Sequence, residues 1–343
     1  MTISAHSRIF ALLVLGVALA CMCLTTAQAR ELSDADLRRV VDSAYSKYKN
    51  LKEGKNADYI PILATVPSDL FGVVIVTRDG KVFQKGDVDY EFSIQSVAKP
   101  FTASLVMQQH GPQAIVDKIG VEPTGLPFNS KIAIELLNAR SVNPSVNAGA
   151  IAAVSMVKAE SGQDRWNQVM QNLSDYAGRD LRLLDDVFDS EYSTSWSNRA
   201  IANLLYNYER LYSEPEEALV VYTKQSSVGV TAKDLGVMGA TLANGGANPL
   251  TGTRVLASRH VPELLAIMAM SGFYDESGIW QYTAGLPAKT GVGGGIVTVV
   301  PGKFGIAAFS PRLNEAGNSI RAMKAIRYIA GELGVGLYGP NPD

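Results

Sequence analysis

The chain of 343 residues carries 47% hydrophobic and 19% charged residues, enough to bury a real core in one large or two small interwoven domains. Its 31 basic residues are balanced by 33 acidic ones, and a formal charge of -2 excludes the electrostatic footprint of a nucleic-acid or anionic-membrane binder, leaving small molecules as the expected partners. Both cysteines, Cys21 and Cys23, lie in an N-terminal apolar segment, and only His110 and His260 follow it, so the rest of the chain offers neither a disulfide nor a Cys/His zinc site, and no cofactor or metal is expected.

In chain order, Ser7-Arg8 opens an apolar run from Ile9 to Leu24 that exits through Thr25-Thr26-Ala27-Gln28-Ala29, the pattern of a cleaved export signal over 1–29. The run is short for a membrane span, so the expectation is a periplasmic or secreted mature chain beginning near Arg30, with no membrane attachment after cleavage. Ser33-Asp34-Ala35-Asp36 then caps an apolar stripe of Leu37, Val40, Val41, Ala44, Tyr45 and Tyr48, which predicts a first helix. Gly72–Thr77 and Lys81–Gln84 flank Arg78-Asp79-Gly80 and predict a hairpin.

From about Pro100 to about Gly285 the pattern is helical, with helices expected over 150–160, 198–211, 231–243 and 261–270 and no convincing strand. A second hairpin is expected where Gly295–Val300 and Phe304–Phe309 flank Pro301-Gly302-Lys303, and a closing helix over 318–333 ends at Gly334. Strands early and late with helices between predict an α/β fold of the α+β kind. An antiparallel sheet (about 30–99 and 286–343) is flanked by terminal helices and joined by a helical subdomain (about 100–285), with a cleft where the two meet. Residues 30–343 are expected to form one domain.

Three short motifs carry chemistry. Ser96-Val97-Ala98-Lys99 sets a hydroxyl and an amine one helical turn apart, and a buried, neutral lysine there can take the serine proton. Ser46–Lys49 and Ser155–Lys158 share that spacing and read as helix surface, whereas Ser96 stands at a junction with Pro100 placed for an early helical turn. Asn143-Pro144-Ser145-Val146-Asn147 supplies a Ser-x-Asn suited to an amide substrate. The only Lys-Thr-Gly, Lys289-Thr290-Gly291, runs into Val292-Gly293-Gly294-Gly295, and it is expected to form a cationic wall beside N–H groups that hold an oxyanion.

Together the three motifs resemble the fold of penicillin-binding proteins and β-lactamases. Longer blocks, Phe92 to Pro100, Asn143 to Ile151, Thr241 to Gly246 and Gly285 to Gly295, are similar to the serine-dependent glutaminases, as are Tyr59-Ile60-Pro61, Ser190-Glu191, Asn198, Tyr222 and Gly272-Phe273-Tyr274-Asp275. The resemblance implies hydrolysis of L-glutamine, with Ser96 as nucleophile, Lys99 as its base, Tyr274 as a proton relay and the N–H groups of Ser96 and Val292 as the oxyanion site. It further implies a substrate pocket of Tyr59, Gln95, Ser96, Asn147, Glu191, Asn198, Tyr222, Tyr274 and Val292, in which Glu191 faces the substrate ammonium, and a homodimer or homotetramer.

Two departures from that family pattern stand out. Ser197 precedes Asn198 where an arginine is usual, with Arg199 after it, and Thr290 stands where a serine is usual. Two other readings are a β-lactamase or peptidoglycan peptidase of the same fold, and a non-catalytic amino-acid-binding protein that kept the pocket. The spacing of Glu191 and Asn198 is wider than a class A β-lactamase would show, and the intact Ser96/Lys99 pair argues for chemistry.

Overall fold

Residues 32–136 and 141–338 are described by the computed structural model, and the first element follows from a local signal. Ser33 Oγ accepts from the N–H of Asp36 (3.2 Å) while the Asp36 carboxylate accepts from the N–H of Ser33 (3.2 Å), a capping box that opens the helix Asp34–Tyr48. Of the expected stripe, Leu37, Val40, Val41 and Ala44 are buried, whereas Tyr45 and Tyr48 are only partly so. The same reciprocal cap, Thr231 with Asp234, opens the helix Ala232–Ala243, and Gly334 at φ +60° ends the helix Ile320–Leu333.

Among the described residues eight strands follow in chain order: β1 (Gly72–Thr77), β2 (Val82–Gly86), β3 (Phe92–Ser93), β4 (Arg182–Leu183), β5 (Val228–Val230), β6 (Ala288–Thr290), β7 (Gly295–Val300) and β8 (Phe304–Phe309). Both expected hairpins form, β1 with β2 and β7 with β8. Antiparallel pairing of β1 with β8, from Gly72 opposite Phe309 to Thr77 opposite Phe304, joins them into a five-stranded sheet of order β2-β1-β8-β7-β6.

Apart from its edge strand β2, the sheet is buried on both faces, and strand alternation decides which residue goes where. Val73, Ile75, Ile296 and Ile306 pack with Leu37, Val41, Ile326 and Ile329 of the two terminal helices. Their neighbours Val74, Val76, Val297 and Ala307 pack with Leu235, Met238 and the helical part. Each fully buried Val or Ile contributes about 1.5–3 kcal/mol. Glycines let the helix Ala232–Ala243 lie close on this second face: a Cβ at Gly305 would meet Ala240 N at 2.5 Å, and one at Gly236 would meet Val76 Cγ2 at 2.8 Å.

The expectation of a helical block without strands is corrected. β4 and β5 lie inside it and pair with each other, and β5 pairs with β3 in a second sheet of order β3-β5-β4, stitching the helical part to the segment that precedes Ser96. Strands of two or three residues are too short to show an alternating pattern. Helix boundaries also shift. The helix expected over 150–160 is Asn147–Met156 and ends where Val157 turns extended, that over 198–211 is Trp196–Asn207 with Glu209 at φ +56° beyond its end, and the closing helix begins at Ile320. Among the described residues no helix is long and apolar enough to cross a membrane, and the apolar run Ile9–Leu24 lies outside them.

Candidate active site

Ser96 is placed by the junction between the two sheets and the helical part. The N–H of Ile94 donates to Val228 O (2.8 Å), continuing the β3–β5 pairing, and the chain then tightens into a 3₁₀ turn, Gln95–Val97, that feeds the helix Ala98–His110. Ser96 therefore sits inside a turn and not at a helix cap, and Pro100 falls in the helix's first turn, where no donor is lost. Gln95 is held at φ +50°, a left-handed conformation that costs a non-glycine residue about 1–3 kcal/mol and clusters at functional sites. Its amide Nε2 donates to Glu191 Oε2 (3.1 Å) and to Ser93 Oγ (3.3 Å).

Lys99, one turn after Ser96, is 1% exposed, and its Nζ lies 2.6 Å from Ser96 Oγ and 2.8 Å from Asn147 Oδ1. Burial lowers its pKa to about 7, with the Glu191 charge acting in the opposite sense, so near neutrality a large fraction of the amine is free to accept a proton. Glu191, 6% exposed, moves the other way: burial raises its carboxyl to about 7, opposed by the Gln95 hydrogen bond and by Lys99.

Asn147 opens its helix against the Asn143 carbonyl, a fit that requires glycine two residues on, since a Cβ at Gly149 would stand 1.9 Å from Asn143 O. Its Nδ2 donates to Asn198 Oδ1 (2.9 Å), linking Lys99 to a second predicted residue. The other half of the Ser-x-Asn motif does not line the pocket. Ser145 Oγ is buried without a hydrogen-bond partner among the described residues.

Two tyrosines close the pocket. Tyr222 is buried with its ring 5.6 Å from Lys99 Nζ, and burial, with Glu191 nearby, raises its hydroxyl well above the ordinary value. Tyr59 leaves 53% of its surface exposed, yet its hydroxyl lies deep enough beside Tyr274 and Glu191 to have its pKa raised, chiefly by burial.

The loop after β6 approaches the Ser96 turn as closely as glycine permits. A Cβ at Gly293 would lie 2.4 Å from Ser93 O and one at Gly291 would lie 2.9 Å from Ile94 O. This brings Val292 into the pocket, and among the described residues neither the Val292 nor the Ser96 N–H donates to a backbone carbonyl outside regular helices and strands. Tyr274, at φ +57°, donates its hydroxyl to Thr290 O (3.2 Å), and its pKa is raised by burial with a hydrogen bond to Ser96 opposing.

Lys289 departs from expectation. It does not form a cationic wall: fully buried, it sits 4.0 Å from the Tyr274 ring centroid, and its Nζ donates to Thr290 O (2.7 Å) and Gly272 O (3.0 Å). Burial, followed by the charge of Lys99, lowers its pKa well below the ordinary lysine value. β6 turns this side chain behind Tyr274, which the motif could not reveal, and Thr290 Oγ1 has no partner among the described residues.

A pocket of about 100 Å³ is lined by eight predicted residues: Tyr59, Gln95, Ser96, Asn147, Glu191, Asn198, Tyr222 and Val292. Lys99 and Tyr274 stand behind Ser96. Sequence reasoning missed Phe128, Asn129, Thr194, Ser195 and Ser197 in the lining. Proximity to Glu191 and Asn198 could have found the last three. A larger cleft of about 580 Å³, bordered by Tyr90, Arg182 and Leu184, holds none of the predicted side chains.

Asn198 lines the pocket despite its unusual neighbours. Arg199 turns away to bond Tyr192 O (3.0 Å) and Ser195 Oγ (2.8 Å), and Ser197 accepts from Lys131 Nζ (2.7 Å). Lys49 and Lys158 of the two competing Ser-x-x-Lys matches are exposed as expected, but Ser155 is buried and not on a helix surface, its Oγ donating to Ala152 O (2.7 Å) and accepting from the N–H of Tyr212 (3.0 Å).

The Glutaminase family profile matches residues 54–338. A glutaminase of Colwellia psychrerythraea is 53% identical over 302 residues, covering 88% of this chain and 97% of its own. Among solved structures, one described as a probable glutaminase is 49% identical with a TM-score of 0.88, covering 90% of this chain and 99% of that one. Another, Mglu in its glutamate form, is 34% identical with a TM-score of 0.84, covering 90% of this chain and 71% of that one. With a match across most of the described residues and the predicted side chains gathered about one pocket, the chain belongs to the glutaminase family.

Proposed function

We propose that the protein hydrolyses L-glutamine to L-glutamate and ammonia through an acyl-enzyme on Ser96. The observation that carries this reading is the buried Lys99 amine 2.6 Å from Ser96 Oγ, beside a pocket that Glu191 helps to line. The glutamate form of the related Mglu supports a pocket for an amino acid with an acidic or amide side chain.

In this mechanism Ser96 Oγ attacks the carboxamide carbon while Lys99 takes its proton, and the N–H groups of Ser96 and Val292 hold the developing oxyanion. Tyr274, whose raised pKa keeps it protonated, donates to the departing nitrogen, recovers a proton from Lys99 and later assists water in releasing glutamate. Glu191 offsets the substrate ammonium, while Asn198, Tyr59 and Tyr222 receive its carboxylate. Gln95 holds Glu191 in place, and Asn147 ties Lys99 to Asn198.

Ammonia release from glutamine and asparagine, with β-lactam ring opening of a penicillin followed separately by its ultraviolet absorbance, tests the function directly. Glutamine is the expected substrate, and turnover of the penicillin alone would transfer the assignment to a β-lactamase. The pH dependence follows from two groups with the same sign. Lys99, lowered to about 7, loses its accepting lone pair as pH falls through that value, and Glu191, raised to about 7, loses its charge over the same interval. The kcat/KM for glutamine therefore rises between about pH 6 and about pH 8 with a slope above one. A flat profile there would contradict both roles.

We further propose that 1–29 is removed on export, that 30–343 form one catalytic domain, and that the mature enzyme is periplasmic or secreted and assembles as a homodimer or homotetramer. The cationic start and apolar run support export, and family membership supports assembly. Protein recovered from the cell envelope should have an intact mass beginning near Arg30 and a melting temperature indifferent to thiol reductants. Retention of Met1 through Ala29 would remove the export claim.

A further inference from the structure

We infer that Glu276 is a positioning residue for Tyr274, clamping its turn to a loop that also touches Val292 and the Tyr59 segment. The inference rests on the reaction proposed above.

Tyr274 begins a three-residue 3₁₀ turn, Tyr274–Glu276, at φ +57°, where a bulky side chain is disfavoured and must be held by its surroundings. Inside the turn, Ser277 Oγ donates to Tyr274 O (2.8 Å) and accepts from the N–H of Phe273 (3.0 Å). Outside it, Glu276 Oε2 accepts from two amides, Asn314 Nδ2 (2.8 Å) and Asn318 Nδ2 (2.5 Å).

Those two asparagines also close the loop between them. The N–H of Asn318 donates to Asn314 Oδ1 (2.9 Å), the N–H of Asn314 to Asn318 O (2.9 Å), and the N–H of Gly317 to Asn314 O (3.1 Å). The loop lies directly over the site. A Cβ at Gly317 would stand 3.4 Å from Val292 Cγ1, 3.6 Å from Phe128 Cε1 and 3.9 Å from Tyr274 Cε2. Leu313, at its start, exchanges backbone hydrogen bonds with Lys55 (2.8 and 3.2 Å) and packs with Ile60 and Val292.

One carboxylate oxygen thus joins the Tyr274 turn to the same loop that braces the oxyanion residue and the pocket wall. Glu276, Asn314 and Asn318 do not line the pocket, so any effect on turnover passes through the residues they hold. Both amides meet the same oxygen, which a glutamine carbonyl can replace. Alanine removes both bonds and strands the buried Asn318 amide.

The test is a double-mutant cycle with glutamine as substrate. Glu276→Ala is expected to lower kcat by about 10- to 30-fold with KM changed less than about threefold, and Glu276→Gln to stay within about threefold of the parent. In a Tyr274→Phe background, Glu276→Ala should add less than about a twofold loss. Equal losses in both backgrounds, a change confined to KM, or Gln as damaging as Ala would overturn the clamp. Should Glu276→Ala fail to fold, Asn314→Ala, which removes one of the two amides, is expected to show a smaller kcat loss with the same dependence on Tyr274, and independence would count against the clamp equally. A fully active Glu276→Ala beside an impaired Tyr274→Phe would overturn the clamp alone. A fully active Tyr274→Phe would overturn the relay role of Tyr274 itself.

Discussion

Ser96→Ala is expected to lower ammonia release from glutamine by about four orders of magnitude or more while leaving the melting temperature close to that of the parent. The nucleophile is the one group in the proposed reaction with no substitute, and losing a serine nucleophile removes the covalent pathway altogether, so the residual rate comes from binding and the oxyanion donors. The fold hardly notices, because Ser96 contributes one hydroxyl to a turn already held by Ile94 and the following helix, and Lys99 keeps its bond to Asn147. Lys99→Ala should be nearly as damaging. Lys49→Ala and Lys158→Ala should be mild, since their ammonium groups are exposed. Near-normal turnover in Ser96→Ala would end the acyl-enzyme assignment, and equal losses at all three lysines would mean that a different pair does the work.

Glu191→Gln should depress kcat/KM for glutamine far more than for an analogue lacking the α-amino group. Leaving one partner of a desolvated ion pair uncompensated typically costs about 3–5 kcal/mol, or roughly two to four orders of magnitude, and a substrate without the ammonium has no such interaction to lose. The substitution is close to isosteric, and Gln95 Nε2, which donates to Glu191 Oε2 at 3.1 Å, can donate to the new amide oxygen instead. The pH dependence supplies an independent check. Because the Glu191 carboxyl titrates near 7, its removal should also make the rise in kcat/KM between about pH 6 and about pH 8 less steep, leaving only the Lys99 step. The comparison requires an analogue that the parent enzyme turns over measurably. Equal losses for both substrates would make Glu191 structural or catalytic and not a recognition residue.

The features legible in the amino-acid order are those that adjacent residues decide among themselves. Ser33 and Asp36, or Thr231 and Asp234, are three residues apart and complete their caps within one turn. Asp79-Gly80 and Pro301-Gly302-Lys303 bend the chain between strands whose apolar character is plain, and Gly334 stops the closing helix where only a left-handed residue fits. Ser96 and Lys99 belong to this class too, since helical geometry places them side by side whatever surrounds them. The longer blocks around them carried the family, and with it the members of a pocket drawn from distant segments.

Tertiary structure alone decided what depends on partners remote in sequence. β5 exists because β3 offers it an edge, and β4 because β5 offers it another. Lys289 turns inward because β6 directs it behind Tyr274, where its partners are carbonyls and not substrate. Phe128 and Asn129 enter the lining, and Glu276 meets Asn314 and Asn318 across 38 and 42 residues, with no local pattern to announce either. The opposing shifts of Lys99 and Glu191 have the same origin. Their ordinary values are properties of residue type, but the desolvation that brings both to about 7 is produced by chain segments that only folding brings around them.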